Sequence, residues 1–161
     1  MKAALENMPG NARLWVYQST KFLSNEEVEI IQSEGDKFVD AWDYHGAYLQ
    51  ASFDVLHNRF VVIAVDENHA PTGGCSIDKS VGLIKGLGDK LGTDFFDRFH
   101  VVYKVGDELQ SCNYNDLEDL VNAGTVNEST IVYNNSVSSK ADFDANWELP
   151  LNQSWQGRVL A

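Results

Sequence analysis

A chain of 161 residues and 18.0 kDa has the length of one ordinary domain and buries roughly 70% of the surface its unfolded form exposes. With 43% apolar and 11% aromatic residues and only 3 Pro it is globular rather than disordered, and no run approaches the ~18 apolar residues of a membrane helix. Its 12 basic and 24 acidic residues give a net charge of −12, which repels polyanions and argues against a surface that tracks nucleic-acid phosphates.

The charge is uneven. Residues up to Val105 hold 10 basic and 15 acidic side chains, whereas Gly106 to Ala161 holds 2 and 9, so the last third is the acidic part. The amino-terminal stretch Met1 to Trp15 has no apolar segment that could serve as a signal peptide, which predicts a cytoplasmic protein. Cys75 and Cys112 stand 37 positions apart with no metal-ligand spacing and read as reduced thiols.

Taken in chain order, Arg13 to Tyr17 is a short β-prone run. Ser24-Asn25-Glu26-Glu27 has the form of a capping box, and Val28, Ile31, Gly35, Phe38 and Trp42 follow at helical spacing, which predicts a helix over 25–42. Polar and apolar residues alternate from Tyr48 to Leu56, the period of a half-buried strand. Phe60 to Val65 is apolar on both faces and is predicted as a central strand, entered through a tight turn at His57-Asn58. After Pro71-Thr72-Gly73-Gly74, the residues Val81, Ile84, Leu87 and Leu91 mark a second helix. Its glycines 82, 86, 88 and 92 suggest close packing on a sheet. Phe99 to Val105 alternates as a fourth strand, with Val101 and Tyr103 on one face and His100, Val102 and Lys104 on the other.

The order strand, helix, strand, strand, helix, strand predicts an α+β fold with a ferredoxin-like βαββαβ core over 13–105. Beyond it the pattern weakens to a helix from Asn115 to Gly124, a strand over 129–133 and a helix near 139–146. No linker separates a second domain, so residues 106–161 are expected to form an acidic extension within the same domain. It would cover the sheet face that bears Trp15, Tyr17, Tyr48 and His100. An open aromatic face on this topology is the plan of RNA-recognition modules, but the acidity removes the electrostatic attraction such modules need. No nucleic-acid partner is therefore expected.

Two glycine-rich segments invite functional readings. Gly86-Leu87-Gly88-Asp89-Lys90-Leu91-Gly92 fits neither a Walker loop nor a dinucleotide fingerprint, and no cofactor is expected. Gly73-Gly74-Cys75-Ser76-Ile77-Asp78 follows a buried strand and opens a helix, where two glycines and the helix N–H groups favour an anion and promote thiol ionisation. The plainer alternative is that Ser76 or Asp78 caps the helix and Cys75 fills a small core position. In a ferredoxin-like sheet, Arg13, the Trp42 to Gly46 turn and Asp107 share an edge with Cys75, while His57, Arg98 and His100 fall on the opposite edge. That placement offers His45 as a base for Cys75, Asp43 or Asp107 to orient the imidazole, and Arg13 to meet an anionic ligand, with Gly73, Gly74, Ser76 and Asp78 forming the cradle. Asp94, Asp97 and Arg98 read as a solvated loop, and Asp66-Glu67 with His69 fits no metal pattern.

Leu14 to Ser19, Trp42 with His45-Gly46, Gly74 to Asp78 and Asp97-Arg98-Phe99 together resemble a family of small cytosolic Bacteroidetes proteins often labelled "ABC transporter ATPase". The resemblance spans nearly the whole chain and implies no catalytic residue, and the sequence lacks the Walker and signature loops that such a label requires. Two readings of function stand at this point. One is a non-catalytic domain that binds a small molecule, another protein or a second copy of itself as a homodimer. The other is a thiol transferase or hydrolase using Cys75 with His45.

Overall fold

The computed structural model describes all 161 residues and shows a mixed α/β protein built from two larger antiparallel sheets and a small two-stranded one. In the first sheet, β1 (Arg13–Gln18) and β4 (Gln50–Leu56) flank β5 (Phe60–Asp66). The register pairs Leu14 with Ala64 and Phe53 with Ile63. Helix α1 (Asn25–Ala41) begins at the expected capping box: Ser24 Oγ accepts from the Glu27 amide at 3.1 Å, and a Glu27 carboxylate oxygen accepts from the Ser24 amide at 3.1 Å. The predicted strand from Tyr48 is interrupted. A small hairpin of β2 (Asp43–Tyr44) and β3 (Ala47–Tyr48) precedes β4. Its turn is made by His45 and Gly46, both with positive φ (51° and 87°), the geometry of the tight turns that favour glycine. The predicted turn between β4 and β5 is present, with His57 and Asn58 at φ 56° and 53°.

The order β1-β5-β4 is that of the first three strands of a ferredoxin-like sheet, but the fourth strand goes elsewhere. After α2 (Gly74–Leu91), β6 (His100–Val105) pairs with β7 (Glu108–Asn113) and β8 (Ile131–Tyr133), and β8 pairs with β9 (Glu148–Pro150). The second sheet therefore begins at His100, inside the stretch expected to complete the first. Hydrophobic alternation identifies β6 as a strand without naming its partner. The free edge of β1 is met instead by the segment before α4 (Lys140–Asn146), through the Leu14 amide to Ser138 carbonyl bond of 3.1 Å.

Packing forms layers. Helices α1 and α2 cover one face of the first sheet through Ile31, Val39 and Ile84 against Phe53, Val61, Ile63 and Val65. The second sheet covers the other face, where Val102, Tyr133, Val137 and Trp147 meet Leu14, Phe60, Val62 and Ala64. A third apolar cluster, with Leu117 from α3 (Leu117–Asn122), Val126 and Leu151, backs the second sheet at Val101, Tyr103 and Val132. β5 is thus enclosed on both sides, and every residue from Phe60 to Val65 is fully buried. Each of the Phe, Val and Ile side chains among them contributes about 1.5–3 kcal/mol relative to exposure.

Residues beyond 106 pack on the first sheet through Tyr133, Val137 and Trp147, on the face opposite to the one that bears Trp15 and Tyr17. Trp15 and Tyr17 lie on the helix side, and Tyr48 is exposed on the small hairpin, whereas Leu14 and Val16 face the second sheet. In a β1 run apolar at both phases, ring size misled where alternation was silent. Nor do all the α2 glycines serve close packing. A Cβ at Gly82 or Gly86 meets nothing within 4 Å, whereas one at Gly88 would sit 2.8 Å from the Thr93 carbonyl oxygen. Gly92 ends the helix in the left-handed conformation at φ 67°. No helix is long and apolar enough to cross a membrane.

Candidate functional site

The amino end of α2 and the β2–β3 hairpin do come together, as the sheet order required, because β5 delivers the chain to the end at which the hairpin enters β4. The contacts between them are structural. Trp42 Nε1 donates to the Ser76 carbonyl oxygen at 2.9 Å in a buried bond, and Ser76 Oγ donates to the Asp43 carbonyl oxygen at 2.8 Å. Ser76 is therefore a buried clamp rather than a helix cap. Gly73 occupies the N-cap position with no side-chain hydrogen bond, and Asp78 is exposed. Gly73 is held to glycine by proximity, since a Cβ there would lie 2.2 Å from Tyr44 Cε2. Around Gly74 there is open space.

Cys75 is exposed on the first turn of α2, which removes the reading of it as a core residue. No hydrogen bond joins it to His45, which is exposed on the hairpin turn with its ring against Tyr44. The Asp43 carboxylate accepts from the Gly46 amide at 2.9 Å and so serves the turn rather than an imidazole. Arg13 is engaged on β1, 3.3 Å from the Glu67 carboxylate and 5.0 Å above the Trp15 ring. Asp107 is exposed on the β6–β7 turn, and the shared-edge argument that grouped it with Cys75 no longer applies once β6 has left the first sheet. The residues expected to make a thiol site thus form a hairpin-to-helix junction with an accessible sulfur and no base bonded to it.

The built cavity lies at the other end of β1, among residues the topological argument set aside. Its volume is about 620 Å³, within the roughly 300–1,000 Å³ of small-molecule sites. Four segments distant in sequence line it: the end of β1 (16–18), the loop entering β6 (95–100), the stretch after β8 (133–136) and Trp155-Gln156. Three rings remain open to solvent there, with Phe99 65%, Phe96 44% and Trp155 39% exposed. Phe96 packs edge-on against Tyr17 with centroids 5.6 Å apart, and Trp155 stacks on Tyr114 at 5.5 Å. The loop Asp94–His100 is solvated at Asp94 and Arg98, as expected, and also forms one wall of the cavity, with the Asp94 and Asp97 carboxylates accepting from the Phe96 and Phe99 amides at 2.7 and 2.9 Å.

A network of amides forms the polar part. Gln18, only 6% exposed, donates to the His100 carbonyl oxygen at 2.7 Å and accepts from Asn135 Nδ2 at 2.8 Å. Asn135 Oδ1 in turn accepts from Trp147 Nε1 at 3.0 Å. Gln156, 3% exposed, donates to the Tyr133 carbonyl oxygen at 3.1 Å, but its own Oε1 is sealed from solvent with no partner in the protein. A buried acceptor without a donor costs about 1–3 kcal/mol, and the hydroxyl of Tyr133, another lining residue, is likewise buried without a partner.

Behind the wall lies Arg59, 4% exposed and without a carboxylate partner. Its guanidinium donates to the Ser19 and Thr20 carbonyl oxygens at 3.2 Å each, to Ser111 Oγ at 2.7 Å, and to His100 Nε2 at 3.2 Å. It thereby ties the loop after β1 to the second sheet. Burial and the adjacent Arg59 charge push the His100 pKa below its ordinary value, against a smaller opposing effect of Asp97, so the ring is neutral at pH 7. Aromatic residues crowded into the Phe95–Phe99 loop were the sequence signal for this site; the reading of Asp94, Asp97 and Arg98 as surface charge passed over it. No group of three or more His, Cys, Asp or Glu side chains is arranged to hold a metal ion. No known family, curated protein or solved structure matches the chain.

Proposed function

We propose that the protein is a non-catalytic binding protein of the cytoplasm, taking a small aromatic molecule into the cavity between the end of β1, the Phe95–His100 loop and Trp155-Gln156. One observation carries the reading: a cavity of about 620 Å³ is walled by the exposed Phe96, Phe99 and Trp155 rings and by the hydrogen-bonded amides of Gln18 and Asn135. Apolar walls with a few fixed polar groups are the usual composition of ligand sites, the walls supplying affinity and the polar groups orientation. The thiol-enzyme alternative has an accessible sulfur in its support, but neither a bonded base nor an oriented one.

The test is titration of the full-length protein with a panel of bicyclic aromatic fragments, followed by amide and indole NMR shifts. Perturbations are expected at Phe95–His100, Asn135-Ser136 and Trp155-Gln156. Ser136→Phe, at an exposed position on the cavity lining, fills the space without touching the core and is expected to abolish them. Shifts that scatter over the surface, or that survive Ser136→Phe, overturn the proposal.

A further inference from the structure

Given that the cavity is a ligand site, the open edge of β1 beside it specifies what the ligand carries besides a ring. Two bonds fix which way the backbone of β1 faces. One residue past the strand, the Ser19 amide donates to the Arg59 carbonyl oxygen at 2.8 Å, so the odd-numbered residues bond to β5. The Leu14 amide donates in the other direction, to the Ser138 carbonyl oxygen at 3.1 Å. In an antiparallel ladder the two directions alternate. The backbone N–H and C=O groups of Val16 and Gln18 therefore point off the sheet, and no hydrogen bond within the protein reaches them.

The ladder that these groups would join stops short of them. The segment 138–140 pairs with β1 only at its start, where the Lys140 amide donates to the Ala12 carbonyl oxygen at 3.0 Å and Arg13 bridges to Ser139. Continued at the same register it would set Ser136 opposite Val16, but the Ser136 amide is turned to the Asn134 side chain at 3.3 Å. A cavity of about 250 Å³, lined by residues 13–17 and 135–138, lies in the gap. It shares Val16, Tyr17, Asn135 and Ser136 with the aromatic-walled cavity of about 620 Å³. Half-buried Val16 thus offers the donor and the acceptor of a strand where the two cavities meet.

An extended amino-acid residue is what completes such a ladder, because it gives one N–H and one C=O on the same side at the spacing of a strand. We infer that the protein takes an aromatic amino-acid residue in peptide linkage, its N–H donating to the Val16 carbonyl oxygen, its C=O accepting from the Val16 amide, and its ring held by Phe96, Phe99 and Trp155. The smaller cavity receives the adjoining stretch of ligand backbone. The Tyr133 hydroxyl and Gln156 Oε1 are sealed from solvent and take no part. A bare aromatic molecule would meet the same rings and leave the Val16 groups untouched.

Four probes against the full-length protein decide the matter: N-acetyl-L-tryptophanamide, its Nα-methyl derivative, its D-enantiomer and 3-methylindole. The L-amide is expected to bind about three- to tenfold more tightly than the Nα-methyl form, the range for one neutral hydrogen bond, and more tightly than the D-enantiomer or 3-methylindole. These comparisons within the wild type do not depend on how well any variant folds. A second readout is the Val16 amide resonance of ¹⁵N-labelled protein, which the L-amide is expected to move downfield and protect from solvent exchange, and 3-methylindole is not. Val16→Pro removes an N–H that points off the sheet and none that β5 uses, and is expected to erase the advantage of the L-amide over 3-methylindole. Equal binding of the L-amide and any of the other three probes, an unmoved Val16 amide, or an advantage that survives Val16→Pro overturns the inference while leaving an aromatic-binding cavity in place. Absence of binding by all four probes overturns the cavity proposal itself.

Discussion

Three glycines in helix interiors test whether packing has been assigned correctly, because the same substitution is expected to act in opposite directions. In α2, Gly82 and Gly86 are exposed and an added Cβ meets nothing within 4 Å. Replacing either with Ala removes unfolded-chain entropy at no steric cost and is expected to stabilise by about 0.5–1 kcal/mol. In α1, Gly35 is buried against β4, and a Cβ there would lie 2.1 Å from Phe53 Cδ1 and Cε1. Ordinary carbon contacts are ~3.5–4 Å, so the fully buried Phe53 ring must retreat by more than an ångström. Overpacking of that severity costs about 2–3 kcal/mol, and the helix-propensity gain of about 1 kcal/mol leaves a net loss of about 1–2 kcal/mol. Urea unfolding followed by far-UV circular dichroism measures all three. For a chain of this size the melting temperature should rise by about 2–4 °C per kcal/mol in the α2 variants and fall correspondingly in Gly35→Ala. Phe53→Leu should cost less in the Gly35→Ala background than alone, since it relieves the clash. A stabilised Gly35→Ala, or loss of more than about 0.5 kcal/mol in either α2 variant, refutes the layer assignment.

Two further outcomes follow from exposure and charge. Iodoacetamide at pH 7.5 should modify Cys75 in the folded protein well before Cys112, because Cys75 is exposed whereas burial and then the Asp116 carboxylate raise the Cys112 pKa; equal rates in peptide mass analysis would show that the second sheet opens readily. His100 is harder to protonate in the folded chain than in the unfolded one, so its contribution to stability is intact above its ordinary pKa of ~6.5 and is lost as the pH falls below it. The urea midpoint of the wild type should therefore drop more between pH 7 and pH 5 than that of His100→Gln, and parallel pH profiles would contradict the burial of the ring beside Arg59.

Local features were the ones legible in the sequence. The capping box at Ser24 and Glu27, the His57-Asn58 turn and the doubly apolar run of β5 each rest on interactions between neighbours in the chain, and each is present. What escaped were choices between partners. β6 alternates in the same way whether it pairs with β1 or founds a second sheet, and the one hint was Val102, an apolar residue on the same face as His100 and Lys104. Once β6 was assigned to the first sheet, the sorting of strand ends put His100 and Arg98 out of consideration and drew attention to Cys75. The cavity exists because the second sheet brings the chain's last turn over the end of β1, a meeting of residues more than a hundred positions apart.

The enclosure of β5 also bears on how the chain is made. Phe60 to Val65 is six consecutive apolar residues with no charge, five of them β-prone, the composition of a segment that self-associates when left bare. The helix α1 precedes it and α2 follows closely, so one side of the strand can be covered early. Its opposite side waits for Val102 and then for Tyr133 and Trp147, the last of which emerges about 80 residues after β5. At ~5–20 residues per second that is an interval of roughly 4–16 s in which the nascent protein displays an unshielded hydrophobic strip. Yield from rapid overexpression should thus depend on chaperone capacity more than the stability of the finished protein would indicate.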